Sequence, residues 1–232
     1  MKRFLLLTTT FISFTTVALA ETHETPAVDA SAMFAPQWSE FYAFGQVSAP
    51  IGVQPEYTYV PVDSTTEVPM EGAAAVIGIG YEVARTGNVV FAVEADISFG
   101  NYDSGQVLVD TTPCITNAPD EACRAEVSAI ATGRALIGYK QGAFTPYITG
   151  GVAIARASGH ADTGACGGSD CDFDEALTGW TAGLGIIYDI NETFALKADL
   201  LQYELEDPEF GSDSVTGSFR FGEIRIGAVY RF

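Results

Sequence analysis

Beyond its first twenty residues this chain of 232 has no run of about 18 consecutive apolar residues, so it carries no pattern for a membrane-spanning helix. Cations are scarce: 11 Lys and Arg stand against 30 Asp and Glu, a formal charge of −19. That balance excludes nucleic acid as a partner, because phosphate binding needs a surplus of Lys and Arg. It also excludes charge-driven attraction to anionic lipid. Histidine is limited to His23 and His160, which leaves little for general acid–base or triad chemistry. Cys114, Cys123, Cys166 and Cys171 lack the CxxC spacing of a Cys₄ zinc site.

Against these shortages, 47% of the residues are hydrophobic and Gly is frequent at 24. Two classes fit: a secreted all-β protein, or a transmembrane β-barrel, whose strands alternate and never form a long apolar run. The beginning of the chain favours export. Met1-Lys2-Arg3 is basic, Phe4 to Leu19 is uncharged and largely apolar, and Ala18-Leu19-Ala20 supplies the small residues of a cleavage site. This is the pattern of a secretory signal peptide over 1–20. Cleavage would remove Lys2 and Arg3 and no acids, taking −19 to −21. Residues 21–37, rich in Pro, Ala and acids, read as a loose leader, and 38–232 as a single barrel domain.

Eight segments of period 2 are predicted as strands: 38–47, 72–83, 89–100, 125–139, 145–157, 177–189, 193–205 and 217–232. Their connections alternate strictly. Those at 84–88, 140–144 and 190–192 are short; those at 48–71, 101–124, 158–176 and 206–216 are long. Tight periplasmic turns and long external loops produce this rhythm in a barrel built into an outer membrane. The fold expected is therefore all-β: a closed, eight-stranded, antiparallel up-and-down barrel with both ends of the chain on the periplasmic side.

The alternation has the sign that lipid requires. Phe91, Val93, Ala95, Ile97 and Phe99 oppose Glu94, Asp96 and Ser98. Val127, Ala129, Ala131, Ala135 and Ile137 oppose Glu126, Ser128, Thr132 and Arg134. Ile224, Ile226, Ala228, Tyr230 and Phe232 oppose Glu223 and Arg225. Strands 38–47 and 145–157 leave the outward face open. The polar faces would direct Glu82, Glu94, Asp96, Glu126, Arg134, Lys197, Asp199, Glu223 and Arg225 into one interior. A soluble core could not hold them, since each unpaired buried charge costs several kcal/mol. An eight-stranded barrel could, as a paired network that blocks a lumen about as wide as its own side chains.

The segments WSEFYAFGQV, FAVEADISFG, RALIGYK, TPYITGGVA, GWTAGLGIIYDI, LKADLLQYEL and IRIGAVYRF, in this order, resemble the small outer-membrane barrels of Gram-negative bacteria. These are the OmpA-like transmembrane barrels, grouped with the porin family of outer membrane β-barrel proteins. The resemblance implies a cell outer membrane location. It implies contact with outer-membrane lipid and lipopolysaccharide, periplasmic chaperones during export, and the barrel assembly machinery. Ala228, Tyr230 and Phe232 look like the closing-strand signal that this machinery reads. The peptidoglycan-binding domain that follows the barrel in OmpA itself is not expected here, and the barrel is expected to be a monomer.

Other candidate chemistry is thin. An exported chain with four cysteines suggests disulfides. Three pairings are possible, and the two local ones, Cys114–Cys123 and Cys166–Cys171, are favoured because each would staple one external loop. Asp170 to Glu175 resembles the start of a calcium loop, but the sixth position is not Gly and Thr181 stands where a bidentate Glu is needed. It reads as a solvated acidic loop, with a weak divalent-cation site bridging to lipopolysaccharide as the alternative. GIGYEV at 78–83 lacks the third glycine and the helix of a dinucleotide site. Its glycines read instead as relief from crowding in a narrow barrel. Neither the lipid-A deacylase nor the omptin protease motif of enzymatic outer-membrane barrels is present. The expectation is a non-enzymatic barrel without cofactor or metal, serving membrane integrity and presenting surface loops. The alternative is a narrow porin-like channel for ions or small solutes.

Overall fold

The computed structural model describes residues 41–52, 54–59, 64–104, 124–161, 171–209 and 215–232. The signal and leader segments, Cys114, Cys123 and Cys166 lie outside the described residues. Ten strands follow in chain order: β1 Phe41–Ile51, β2 Glu56–Tyr59, β3 Ser64–Glu67, β4 Glu71–Thr86, β5 Val89–Asp103, β6 Arg124–Tyr139, β7 Phe144–Ala161, β8 Cys171–Asp189, β9 Phe194–Leu205 and β10 Val215–Arg231. Apart from β2 and β3, each strand pairs antiparallel with the next. β1 also pairs with β10, from Tyr42 opposite Arg231 to Ile51 opposite Gly222. The sheet therefore closes into an eight-stranded up-and-down barrel with no free edge, the arrangement that leaves no backbone group unpaired in lipid.

At one end the connections are tight. Gly87 and Gly142 take positive φ of 59° and 63° there, which a residue without Cβ adopts readily. At the other end the strands run on past the lipid-facing band. β2 continues β1 along β10, with Glu56 opposite Ser218, and β3 returns beside β2. The first long connection is thus a hairpin that extends the β1–β4 pair. Period-2 analysis missed it because each of its strands is only four residues long. Cys171 to Glu175, expected as a loop, belongs to β8 and pairs with β7, Gly159 opposite Phe173 and Ala157 opposite Glu175. Polar strand extensions above a membrane need no apolar outer face, so alternation gave no sign of them.

The outer surface is apolar. Phe41, Val47, Ile77, Ile79, Ile148, Val152, Leu184 and Ile226 are all more than half exposed. A continuous apolar belt of this kind is what a lipid-facing barrel requires and a soluble monomer avoids. Ring pairs mark its lower edge near the tight turns: Phe41–Tyr81 at 4.7 Å, Phe144–Tyr188 at 4.8 Å and Phe194–Tyr230 at 5.3 Å between centroids. Trp180 stands outward toward the long-connection end. The two strands of open orientation resolve: Phe41 and Val47 in β1, and Ile148, Val152 and Ile154 in β7, face outward.

One face assignment changes. Val127 was expected against lipid, but it is buried inside the barrel, while Ser128 and Glu126 turn outward. The register slips between Val127 and Ala129, where β6 carries one residue more than β7. A bulge inverts the alternation on one side of it.

Candidate functional site: the enclosed lumen

Inward residues fall into three layers along the barrel. The lowest, at the tight-turn end, is a cup whose walls include Val90, Ala92, Leu136, Ile187 and Val229. Tyr42 and Tyr147 form its roof, their hydroxyls donating to Glu94 at 2.9 Å and to Asp199 at 2.5 Å. Both rings lie close along the barrel wall because the wall is glycine. A Cβ on Gly80 would meet the Tyr42 ring at 2.1 Å, and one on Gly185 would meet the Tyr147 ring at 2.3 Å. This is the role of the GIGYEV glycines: they make room for aromatic rings on the neighbouring strand.

The middle layer is ionic. Glu94, Asp96, Arg134, Lys197, Asp199, Glu223 and Arg225 come from β5, β6, β9 and β10, and their side chains are wholly enclosed. Arg134 donates from one nitrogen to Glu94 at 3.0 Å and to Asp96 at 2.9 Å. Arg225 crosses the lumen to Asp96 at 2.8 Å, and it also donates to Glu223 at 3.0 Å and to the Tyr203 hydroxyl at 2.6 Å. Lys197 donates to Glu94 and sits 4.2 Å from the centre of the Phe44 ring. Gln46 donates to Asp199 at 2.8 Å, Thr132 to Asp96 at 2.6 Å and Tyr102 to Glu223 at 2.7 Å. The seven charged groups form one connected network of four carboxylates and three cations.

Two residues expected among these interior charges stand apart from the network. Glu126 is on the outer side of the bulged part of β6, its side chain 31% exposed, 3.5 Å from Arg124. Glu82 sits at the cup's rim, where Arg85 holds it at 2.7 Å. Ala228, Tyr230 and Phe232 share the lipid face of β10, and the Phe232 ring packs edge-on against Tyr230 at 5.1 Å. Cys171 opens β8; the rest of the favoured pairings lies outside the described residues.

The upper layer is one that charge-centred sequence reasoning missed. Tyr102, Ile130, Leu201, Tyr203, Phe219 and Phe221 fill the lumen above the ion pairs, with Phe173, Leu177 and Leu205 above them. Tyr203 stacks on Phe221 at 4.8 Å, and Phe173 meets Phe219 edge-on at 6.2 Å. From the break between β3 and β4, Val68 and Met70 fold down onto this core and are fully or nearly fully buried. Their segment is held by the Val68 amide on the Pro55 carbonyl at 2.8 Å and the Met70 amide on Gln54 at 3.0 Å. The signal was there to read: Phe219 and Phe221 lie in phase with Glu223 and Arg225, and Leu201, Tyr203 and Leu205 with Lys197 and Asp199.

A closed eight-stranded barrel with a lipid-exposed belt and a filled lumen is a transmembrane barrel of the small, side-chain-plugged class. The chain belongs to the outer membrane protein β-barrel domain family, whose sequence model matches residues 16–232, and so to the outer membrane. No curated protein matches it. Among solved structures it is similar to the outer membrane protein OprG from Pseudomonas aeruginosa, at 14% identity and TM-score 0.50, over 84% of this chain and 96% of that one. It is also similar to Neisserial surface protein A, at 17% identity and TM-score 0.46, over 83% and 97%. A third is Ail of Yersinia pestis, solved with the heparin analogue sucrose octasulfate, at 11% identity and TM-score 0.45, over 83% and 99%. At such identities the likeness is one of fold.

Proposed function

We propose that this protein is a non-enzymatic, non-conducting barrel of the outer membrane, serving membrane integrity and presenting acidic loops at the surface. The observation that carries this reading is the lumen, which is closed twice in series: by seven enclosed charges bonded to one another and, above them, by an apolar core. Ions would have to break paired charges in the first layer and shed their water in the second, and each step is costly in a low dielectric. Aqueous barrel channels take about 16–18 strands. The absence of catalysis is supported by how the interior charges are used: each is engaged with another enclosed group.

The long connections are taken as external. Arg124 is the single Lys or Arg within 48–71, 101–124, 158–176 and 206–216, against acids in all four. Ala228, Tyr230 and Phe232 are the proposed contact of β10 with the assembly machinery, after export by a cleaved signal peptide. The test is conductance of refolded protein in a planar bilayer. Little or no steady current is expected. A large, stable conductance overturns the reading in favour of the channel.

A further inference from the structure

We infer that the ionic layer binds one enclosed water molecule between Arg134, Gln46 and Asp199. This concerns what fills the lumen and does not depend on whether the barrel conducts. Arg134 makes its hydrogen bonds through one atom, Nη2, to Glu94 and Asp96. Among the described residues its Nε and Nη1 have no hydrogen-bond partner, and neither has Gln46 Oε1. Arg134 and Gln46 are only 2% and 5% exposed, so bulk solvent does not serve these atoms. Enclosed polar atoms are costly to leave unpaired, and where protein groups do not reach them the partner in native interiors is ordered water. The Gln46 amide cannot be turned round to pair its oxygen, because the Asp199 carboxylate only accepts and must face the NH₂ group.

Asp199 is where these groups converge. It accepts from the Gln46 amide at 2.8 Å and from the Tyr147 hydroxyl at 2.5 Å, both neutral donors. Two cations stand just beyond hydrogen-bonding reach of it, Arg134 Nη1 at 3.6 Å and Lys197 at 3.9 Å. A polar separation of that size is where a bridging water belongs. Arg134 and Gln46 also stand opposite the inward positions of Gly151 and Gly227, so the strands beside them send no side chain into this level of the lumen. Hydrogen-bonding roles then select the guest. An anion would join a network that already carries one negative charge in excess. A metal cation needs oxygen ligands, whereas Arg134 offers only N–H donors. Water does both: its oxygen accepts from Arg134, and its two hydrogens go to Gln46 Oε1 and an Asp199 oxygen. Three bonds is the usual number for a buried water. The tyrosine roof lies below this layer and the apolar core above it, so the water is held and not passed through.

The test pairs a crystal structure of the refolded barrel, at a resolution that shows ordered water, with water NOE measurements on the same protein in lipid nanodiscs. One solvent peak should lie within about 2.7–3.2 Å of Arg134, Gln46 and Asp199. The side-chain N–H protons of Arg134 and Gln46 should show NOEs to water. Gln46→Leu keeps the size of the side chain and removes one partner, so the Arg134 signal should fall by at least half. Tyr147→Phe removes a hydroxyl that could relay the signal, and the Arg134 signal should persist in it. Heat-dependent gel mobility verifies that both variants are folded. Four results overturn the inference: no solvent peak, with Arg134 closed directly onto Asp199; a peak coordinated by oxygens alone, which is a cation; an Arg134 signal that vanishes in Tyr147→Phe; or one that is unchanged in Gln46→Leu.

Discussion

Removing Arg225 should cost more than removing either of the carboxylates it holds. Its guanidinium is wholly enclosed and donates to Asp96, Glu223 and Tyr203. Arg225→Met takes the seven-membered network from one excess negative charge to two. Asp96 keeps Arg134 and Thr132, but Glu223 is left with the Tyr102 hydroxyl alone. Breaking a buried pair from one side costs about 3–5 kcal/mol, and this site belongs at the upper end because nothing else neutralises Glu223. Glu223→Gln removes the excess instead. It leaves Arg225 bonded to Asp96 and Tyr203, and it should cost about 1 kcal/mol or less. The double variant Arg225→Met with Glu223→Gln returns the network to its original net charge and should regain about 2 kcal/mol of the single loss. Urea titration of the barrel in vesicles, read by the mobility shift between folded and unfolded forms, measures all three. If Glu223→Gln proves costlier than Arg225→Met, or the two costs simply add, the enclosed groups are not organised by this charge balance.

Conductance should follow the two layers in series: Arg225→Ala alone stays nearly closed, and only with Phe219→Ala and Phe221→Ala added should steady current appear in a planar bilayer. If Arg225→Ala alone conducts strongly, the aromatic layer is no barrier. Gly80→Ala would drive a Cβ into the Tyr42 ring and should cost about 1–3 kcal/mol. Gly133→Ala, where the nearest atom is 3.8 Å away, should stay within about 0.5 kcal/mol by the same titration. Under oxidising conditions, peptide mapping should find Cys114 joined to Cys123 and Cys166 to Cys171. Reduction should leave the heat-dependent gel shift intact, because the strand ladders close without those loops. The unheated protein should migrate anomalously on a denaturing gel, whereas recovery as a soluble monomer without detergent would refute the membrane-barrel assignment.

The eight strands of the barrel wall, the alternation of short and long connections and the outward faces of β5 and β10 were legible in the sequence. Lipid imposes a period of two on the part of each strand that crosses it. The identities of Glu94, Asp96, Arg134, Lys197, Asp199, Glu223 and Arg225 as interior residues followed from the same phase. What the tertiary structure decided is where that phase breaks and what meets across the lumen. The slip at Ser128 turns Glu126 outward and Val127 inward, because a single unpaired residue, silent in composition, flips the face. Arg225 bonding to Asp96, 129 positions away, depends on closure and strand stagger, which no local pattern encodes. Val68 and Met70 become the lid of the apolar layer only because the β1–β4 hairpin bends above the membrane and folds its break inward. Alternation reports which side of a strand faces lipid. The contents of the enclosed side are set by how eight strands are staggered around a space only one side chain deep.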